Sequence, residues 1–502
     1  MKKNFKFFKK KIFLKNVFHA VKLGFHPLFS PSQVMIMNVK VRKNSNPMFE
    51  LPNDILGQVV EFATQTLREV LQLQLISKHF RKAMRHSNKL THLDVTFKDL
   101  REVNQLGPMA VGVRKATIHS LERLESLSGL PALRSLDLTH GLFKIGLEVM
   151  HLTHLHSLNI QKCRSLQGID NLPPGLRDLN ASECHELVHL PACLPQLLHL
   201  NIRNCYNLDA IPLMPQLLTL DAAQCPAPLG IMTTLLSLSA SHDDYNSVSK
   251  HISLHTLKLQ DCAFDRSDFL VPLVQLNTLR LYLTETYSYY DMRGLSTLSN
   301  LELLELDGPL TNEHLESIET LTQLRSLILS CTKMSDEGMR SVAKLQGLTW
   351  LELWCSCSRS FSHTGLRHLA LPQLQTLRLV GMRDLTDLQG FEGVANLEHL
   401  IISSSDRLDD LQHVSLMPKL KAIQFAYCDS LTSLRWLNQL PCLMSLDVSR
   451  CWDLQREGLW EIFPCQLSEL VLNAHARAQL GDEVGRFHQQ LLSSKRSAKL
   501  IF

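Results

Sequence analysis

The residues best able to do chemistry in this chain of 502 residues are its 13 cysteines and 23 histidines. Metal ligation and nucleophilic catalysis both need several such side chains at one point. The nearest arrangement is Cys355-Ser356-Cys357 followed by His363, which lacks a second pair of ligands. There is no Gly-x-x-x-x-Gly-Lys phosphate loop and no Gly-x-Ser-x-Gly elbow, and we expect no zinc-binding helix of the His-Glu-x-x-His kind. We therefore predict no metal, no cofactor and no catalytic residue, and an enzyme is the last of our alternatives.

The cysteines belong to a longer pattern of apolar residues, Leu-x-x-Leu-x-Leu, which returns eighteen times with an average step of about 22 residues. The triplets begin at residues 90, 113, 133, 155, 176, 197, 217, 235, 254, 276, 301, 324, 348, 374, 397, 420, 443 and 467. Offsets 0, 3 and 5 suit a short strand whose leucines point inward, and each unit needs its neighbour to bury them. This is the period of leucine-rich repeats. It predicts an α/β solenoid with a curved parallel sheet on the concave side and short helices and extended segments on the convex side.

Nine cysteines share one position of the repeat, seven or eight residues after the first leucine. They are Cys163, Cys184, Cys205, Cys225, Cys262, Cys331, Cys355, Cys428 and Cys451. A small thiol at this position can pack in the turn after the strand and cap a neighbouring carbonyl oxygen. We expect free thiols and hence a reducing compartment, the cytoplasm or the nucleus. Several copies continue as Cys-x-x-Leu, a pattern that resembles the cysteine-containing leucine-rich repeats common in F-box proteins.

The segments between the triplets change character near residue 235. Before it, proline-bearing backs such as 172–175 predict extended or turn-like connections, because proline donates no backbone hydrogen bond. Beyond residue 300 the repeats lengthen, and 314–318 and 336–342 have the apolar spacing of short helices. The polar stretch 241–251 between the two halves predicts a loop that bulges outward.

Residues 90–250 and 251–473 are thus two series of repeats, and the pattern ends after Asn473. Within the C-terminal segment 474–502, residues 479–502 have apolar side chains at helical spacing: Leu480, Val484, Phe487 and Leu491. This spacing predicts a helix that caps the last open edge of the solenoid.

Residues 49–90, before the repeats, contain two amphipathic stretches. Leu51-Pro52 stands at a helix start, where proline costs little, and Asp54 adds negative charge to the first turn. Many aliphatic residues follow, and so small a region cannot bury them all by itself. The segment resembles an F-box, which opens with Leu-Pro and an acidic residue and later carries a Val-Ser-x-x-Trp-like motif, here Ile76-Ser77 and Phe80.

The resemblance implies that this helical module binds the Skp-type adaptor of a cullin ubiquitin ligase. The contacts that it implies are Leu51, Pro52, Ile55, Leu56, Val59, Leu73, Ile76 and Phe80. This sequence departs from the pattern in a longer link around residues 63–69 and in Phe80, where Trp is commoner. The alternative is that residues 49–90 form only an amino-terminal cap that seals the first repeat.

The amino-terminal tail, residues 1–48, differs from the rest in charge. The first 49 residues contain 11 Lys and Arg and no acidic residue, which leaves 41 basic against 48 acidic residues elsewhere. Such a tail can bind an acidic lipid surface or nucleic acid, or act as a mitochondrial presequence. We favour a disordered or dispensable tail, and a start of translation at Met35, Met37 or Met48 is a third interpretation. We expect no nucleic-acid partner, a membrane surface only through this tail, and no membrane span, since no run of 18 or more apolar residues occurs.

Offsets 2, 4 and 6 of each repeat face outward on the sheet if the leucines face inward. Most of these positions hold small polar residues typical of solvated strands. Between the repeats at 276 and 374 they hold aromatic, charged and branched residues: Arg280, Tyr282, Glu305, Asp307, Ile328, Trp350, Glu352, Trp354 and Arg378. Trp, Tyr and Arg dominate binding hot spots, so we predict that this patch binds a protein substrate. The alternative is that Trp350 and Trp354 fold against neighbouring strands or the loop at 356–363.

Together these features predict a non-catalytic, substrate-recognition adaptor of a cullin-type ubiquitin ligase. Residues 49–90 would attach to the ligase core, and the concave face would hold a protein substrate near the conjugating enzyme, so that reaction follows from proximity. The alternative is a leucine-rich-repeat interaction scaffold without a ubiquitin link. The two interpretations differ in whether Leu51, Ile55 and Ile76 are exposed.

Overall fold

The chain falls into two compact units, residues 1–180 and 181–502. The computed structural model describes residues 94–97, 113–118, 127, 130–141, 149–241, 245–285, 290–331, 333–355, 363–454, 456–462, 467–494 and 499–501. The basic tail and residues 49–90 lie outside the described residues. The F-box-like module and its eight adaptor contacts therefore stay predictions.

The described part of the first unit contains five short strands, one from each of five successive repeats. They are β1 (Asp94–Phe97), β2 (Lys115–Ile118), β3 (Ser135–Asp137), β4 (Ser157–Asn159) and β5 (Asp178–Asn180). Each strand pairs in parallel with the next. The middle triplet residues Leu136, Leu158 and Leu179 are at most 2 % exposed. The core of this unit is the stack of leucines that the triplet pattern predicts.

The second unit continues the same pattern through fourteen described strands. They are β6 (His199–Asn201), β7 (Thr219–Ala222), β8 (Ser237–Ala240), β9 (Thr256–Cys262), β10 (Thr278–Leu283), β11 (Leu303–Gly308), β12 (Ser326–Cys331), β13 (Trp350–Trp354), β14 (Thr376–Val380), β15 (His399–Ser403), β16 (Ala422–Ala426), β17 (Ser445–Arg450), β18 (Glu469–Val471) and β19 (Lys499–Ile501). Consecutive strands pair in parallel from β6 to β19. The triplet Leu374, Leu377 and Leu379 is fully buried. Stacked strands, buried leucines and a 22-residue period make this a leucine-rich-repeat architecture.

The backs of the coils follow the predicted division. Residues 149–241 contain only strands, turns and extended segments, whereas helices occur from Tyr245 onward. The short helices are α1 (Tyr245–Val248), α2 (Asn312–Glu316), α3 (Met339–Val342), α4 (His363–Leu366) and α5 (Arg456–Trp460). Single 3-10 turns form other backs, at Asp268–Leu270, Arg293–Thr297, Asp336–Gly338, Phe391–Val394, Gln412–Leu416 and Arg435–Gln439. None of the described helices is long and apolar enough to cross a membrane.

The stretch 241–251 differs from the predicted outward loop. Residues 242–244 are outside the description, but α1 occupies the second half and turns its apolar side chains inward. Val248 is 2 % exposed, and the Tyr245 ring lies 5.4 Å from the Phe264 ring and 4.8 Å from the Phe269 ring, centroid to centroid. Burial of these apolar groups holds the segment against the coil.

The C-terminal cap is also more elaborate than one predicted helix. Helices α6 (Ala474–Leu480) and α7 (Val484–Ser494) are separated by a 3-10 turn that begins at Gly481, where φ is 48°. Glycine tolerates this left-handed value without a Cβ penalty, and it ends the first helix. Leu480, Phe487 and Leu491 are buried as predicted. Strand β19 then returns to pair with β18, which the helical spacing did not indicate.

Most ladder cysteines lie in the turn after a strand, as predicted, whereas Cys262 and Cys331 are the last residues of β9 and β12. The Cys205 thiol donates to the backbone oxygen of Ala181 in the preceding coil at 3.1 Å, and Cys451 donates to Phe425 at 3.5 Å. Burial raises the pKa of Cys205 to about 12, which keeps this thiol protonated as a hydrogen-bond donor. The ten cysteines whose side chains are described are free thiols. The expected capping of a carbonyl oxygen in the preceding coil is confirmed for Cys163, Cys205, Cys428 and Cys451.

Candidate functional site

The nine residues predicted to bind a partner lie together on one face of β10 to β14. The parallel register aligns one row across the five strands: Arg280, Glu305, Ile328, Glu352 and Arg378. The next row contains Tyr282, Asp307, Ser330, Trp354 and Val380. On the other side of the first row, Trp350 stands between Ser326 and Thr376. We call this three-row surface the docking patch, and neighbouring strands place its columns ~4.8 Å apart.

One edge of the docking patch is organised around the Glu305 carboxylate. Arg280 Nε lies 3.0 Å from Glu305 Oε2, and the Tyr282 hydroxyl donates to Oε1 at 2.6 Å. Lys258 Nζ, from β9, lies 5.1 Å from the centroid of the Tyr282 ring, within reach of a cation–π interaction. Burial, and then the hydrogen bond to Glu305, raise the pKa of Tyr282 above its usual range. Tyr282 therefore remains a hydrogen-bond donor at neutral pH.

The other edge repeats this design around Glu352. The Trp354 indole Nε1 donates to Glu352 Oε1 at 2.6 Å, and Arg378 Nη1 lies 3.4 Å from the same oxygen. The Arg378 guanidinium also lies 5.2 Å from the centre of the Trp354 ring. One aromatic donor and one arginine thus hold each carboxylate. Such pairing fixes side chains that would otherwise sample several rotamers.

The structure corrects the predicted exposure of Glu352 between its two tryptophans. Glu352 is only 7 % exposed, whereas Trp350 and Trp354 are 38 % and 37 % exposed. A carboxylate removed from water needs strong hydrogen-bond or ionic partners. Trp354, two residues later on the same strand, and Arg378, on the neighbouring strand β14, supply them. Trp354 does fold against β14, as the alternative stated, yet over a third of each indole still faces solvent.

Between the two carboxylate clusters lies a strip of smaller side chains on β12. Ser326, Ile328 and Ser330 alternate with the buried leucines and are each partly exposed. Bulkier residues stand on both sides, Glu305 and Asp307 on β11 and the tryptophans on β13. Among the described residues, no hydrogen bond or ion pair engages the Asp307 carboxylate. The patch therefore combines a shallow floor with Ile328 at its centre, two accessible indoles and an available acceptor.

Sequence reasoning missed seven residues that complete this surface. They are Lys258, Thr278, Leu303, Ser326, Ser330, Thr376 and Val380. Thr376 and Val380 are 8 % and 9 % exposed, and the register sets them directly beside Trp350 and Trp354. Counting outward offsets in every repeat, not only in those with large side chains, would have found them.

No metal centre is formed by the candidates that the structure places. The Cys355 thiol is buried, which raises its pKa to about 12, and Cys357 and the His363 side chain lie outside the described residues. Residues 185–189 do have the sequence HELVH, a His-Glu-x-x-His motif that our sequence reasoning overlooked. They form turns and an extended segment instead of a helix: His185 stacks on Tyr206, and His189 faces Asp209 at 3.4 Å. The described residues contain no group of three potential metal ligands.

Comparison with known proteins shows distant likeness only. No protein-family model matches the sequence, and no curated protein matches it. Among solved structures, an internalin from Listeria monocytogenes is similar at 17% identity and a TM-score of 0.40, covering 71% of this chain and 84% of that chain. A leucine-rich-repeat protein of Leptospira interrogans is similar at 17% identity and a TM-score of 0.45, covering 85% of this chain and 99% of that chain.

A third similar structure is the functional domain of InlJ from Listeria monocytogenes, which includes a cysteine ladder. It shares 18% identity with a TM-score of 0.40, covering 71% of this chain and 69% of that chain. Likenesses of this degree carry no argument about what the chain binds. Its architecture rests on its own sequence period and stacked strands.

Proposed function

We propose that this chain is a leucine-rich-repeat interaction scaffold whose docking patch binds a segment of a protein partner. The observation that carries this proposal is the pair of exposed indoles, Trp350 and Trp354, beside two carboxylates that are already paired within the patch. In this role the chain supplies a binding surface and no chemistry of its own.

Internal pairing favours binding because it reduces the conformational entropy that side chains of the patch lose on association. Ordering a flexible side chain at an interface costs about 0.5–1.5 kcal/mol. Arg378 and Trp354 already hold one another and Glu352 in the unbound chain. The partner therefore meets a surface whose large side chains are largely in place.

The chemistry of the patch indicates what the partner segment presents. An apolar side chain fits the floor at Ile328, flanked by the two indoles. A Lys or Arg side chain suits the Asp307 carboxylate, which has no partner among the described residues, and can also lie against an indole face. We therefore expect a segment that combines an apolar residue with a basic one.

The test is quantitative affinity purification with the full chain and a Trp350→Ala, Trp354→Ala double variant. Trp452→Ala is the matched control, because Trp452 is 49 % exposed but lies outside the patch. A genuine partner, once purified, should bind the double variant roughly 30-fold more weakly or worse, in line with hot-spot truncations of about 2 kcal/mol or more. It should bind the control as it binds the parent. If every partner binds the double variant as tightly as it binds the parent chain, the docking patch is not the binding surface.

A second candidate function is that of a ubiquitin-ligase substrate adaptor, which the sequence of residues 51–80 favours. Leu51-Pro52, Ile55 and the later Ile76-Ser77 match the F-box pattern, and cysteine-bearing repeats follow them in the chain. The proposed partners are a Skp-type adaptor and a cullin, with the docking patch holding the substrate.

Co-purification of the Skp-type adaptor and cullin with the full chain tests this second function. We expect capture by the parent chain and loss of capture in a Leu51→Ala, Pro52→Ala, Ile55→Ala variant that still folds. If neither chain captures the adaptor, residues 49–90 are only a cap, and the scaffold function stands alone.

A further inference from the structure

The first unit carries a row of basic side chains that belongs to neither of the predicted binding surfaces. One residue after the first leucine position, successive repeats hold Arg114, Arg134, His156 and Arg177. The three arginines are exposed and His156 is half-buried. We call this line the basic row.

Backbone hydrogen bonds fix the spacing of the basic row. The Arg134 amide donates to the Arg114 oxygen at 2.7 Å, His156 to Arg134 at 2.8 Å and Arg177 to His156 at 2.8 Å. Each residue is thus one strand away from the next, ~4.8 Å. From Arg114 to Arg177 the row spans three such steps, roughly 14 Å.

Within the part of the chain that the structure describes, the guanidinium groups of the row have no internal counter-ion. Among the described residues, no carboxylate lies within ion-pair distance of Arg114, Arg134 or Arg177. The Asp137 carboxylate on β3 is occupied by Thr139 and by Asn159 Nδ2 at 3.1 Å. Unpaired like charges along one line repel one another, so the row gains from an anionic partner.

The same repeat position in the second unit lacks this character. It holds Leu198, Leu218 and Leu236 in successive repeats. Its later basic residues stand singly: His255, then Arg325, whose Nη1 donates to the Gly347 oxygen at 3.0 Å, and Lys421, which is neutralised by Glu398 at 2.7 Å. Repeat geometry therefore does not require basic residues at this position. The run of them belongs to the first unit alone among the described repeats.

We infer that the basic row binds an extended acidic segment, rich in Asp and Glu, of a protein partner. The inference rests on the proposed protein-binding role but uses a different surface. Carboxylates suit guanidinium groups because two parallel hydrogen bonds join each pair. Single-stranded nucleic acid fits less well, since it needs several aromatic side chains for base stacking. The described residues of this unit include one Phe and no Tyr or Trp, and that residue, Phe97, is aligned with the buried Ile118 and not with the basic row.

The experiment is fluorescence anisotropy of the full chain with a labelled peptide of alternating Glu and Ser, and with an oligouridylate of equal charge. Arg134→Glu should weaken peptide binding about tenfold and Arg134→Gln about threefold, since charge reversal adds repulsion to a lost pair. Arg164→Glu is the matched control, because Arg164 is exposed in the same unit but lies off the row. It should change peptide affinity less than twofold. Circular dichroism checks that each variant is folded.

Three results would overturn the inference: no binding of the peptide by the parent chain, equal losses from Arg134→Glu and Arg164→Glu, or tighter binding of the oligouridylate than of the peptide. The Trp350→Ala, Trp354→Ala variant should keep its affinity for the acidic peptide. Failure of the docking patch and failure of the basic row can therefore be told apart.

Discussion

The docking patch and the basic row place charges on the same repeat scaffold in opposite ways. In the docking patch each arginine is paired within the protein, Arg280 with Glu305 and Arg378 with Glu352. In the basic row the arginines have no acidic partner among the described residues. The docking patch uses strand positions that the buried leucines leave free, and the basic row uses the residue just before each strand, so the repeat itself imposes neither arrangement.

This difference separates shape recognition from charge recognition. Paired charges cost little to cover, because their partners remain when water leaves, so a patch of this kind can bind through aromatic and apolar contact. Unpaired arginines attract an anion over a longer range, and this attraction weakens as salt screens it. We expect the patch to set specificity and the row to speed association.

The largest expected effect is on the stability of the leucine core beneath the docking patch. Leu377→Ala, on β14 under the docking patch, should lower the free energy of unfolding by about 2–5 kcal/mol, because it leaves a cavity in a fully buried site. Urea unfolding followed by circular dichroism measures the loss. Leu213→Ala makes the same chemical change at a side chain that is 64 % exposed, and it should stay within about 0.5 kcal/mol of the parent. Similar midpoints for the two variants would contradict the inward orientation of the triplets.

Much of this fold could be predicted because the repeat is a local rule applied many times. Any triplet with leucines at offsets 0, 3 and 5 buries them only by stacking, so periodicity predicted both the parallel sheet and the capping thiols. The structure departs from these predictions where contacts with other parts of the chain determine the local conformation. The 241–251 stretch is polar in sequence, yet Tyr245 and Val248 find an apolar surface that no local pattern reveals. Strand β19 likewise depends on an open edge at β18.

The sequence predicted that nine residues of the candidate site share one face, but it indicated neither the residues between them nor their internal order. Offset counting brought nine residues to one face, as observed. It did not show that Glu352 is buried, because this depends on Arg378 and Trp354 reaching the same carboxylate oxygen from two strands. The basic row escaped notice because its position, offset 1, was not among the outward offsets considered.

A direct test of the contrast compares the loss of a charge from each surface. Glu352→Ala should cost about 1–3 kcal/mol of stability, because it leaves the Trp354 Nε1–H and the Arg378 guanidinium without their acceptor. Arg134→Ala should cost no more than about 0.5 kcal/mol, because its side chain is exposed and has no ionic partner among the residues that the structure describes. Urea midpoints of the two variants measure the difference. Equal costs would show that the patch charges are not part of the folded framework.

A smaller effect concerns how the stability of the second unit, which contains the docking patch, depends on pH. His314, in the coil back that follows β11 behind the docking patch, is 8 % exposed, and its Nδ1 accepts from the Thr311 amide at 3.0 Å. Burial lowers the pKa of His314, outweighing the hydrogen bond to the Tyr290 backbone and the nearby acids Glu313 and Asp291.

Above the ordinary histidine pKa of about 6.5 both the folded and the unfolded chain hold this ring neutral. Below it the unfolded chain binds the proton first, so stability should fall as pH falls, by at most about 1.4 kcal/mol per pH unit for one group. Thermal midpoints of the parent between neutral pH and about 5.5 should therefore decrease, and this window stays above the range in which carboxylates titrate. His314→Asn keeps an acceptor for the Thr311 amide but cannot titrate in this range, and its midpoint should vary less with pH. His399→Asn, at an exposed position, is the control and should keep the parent's slope. If His314→Asn keeps that slope as well, the acid sensitivity lies elsewhere, and the buried histidine does not couple the docking patch's unit to pH.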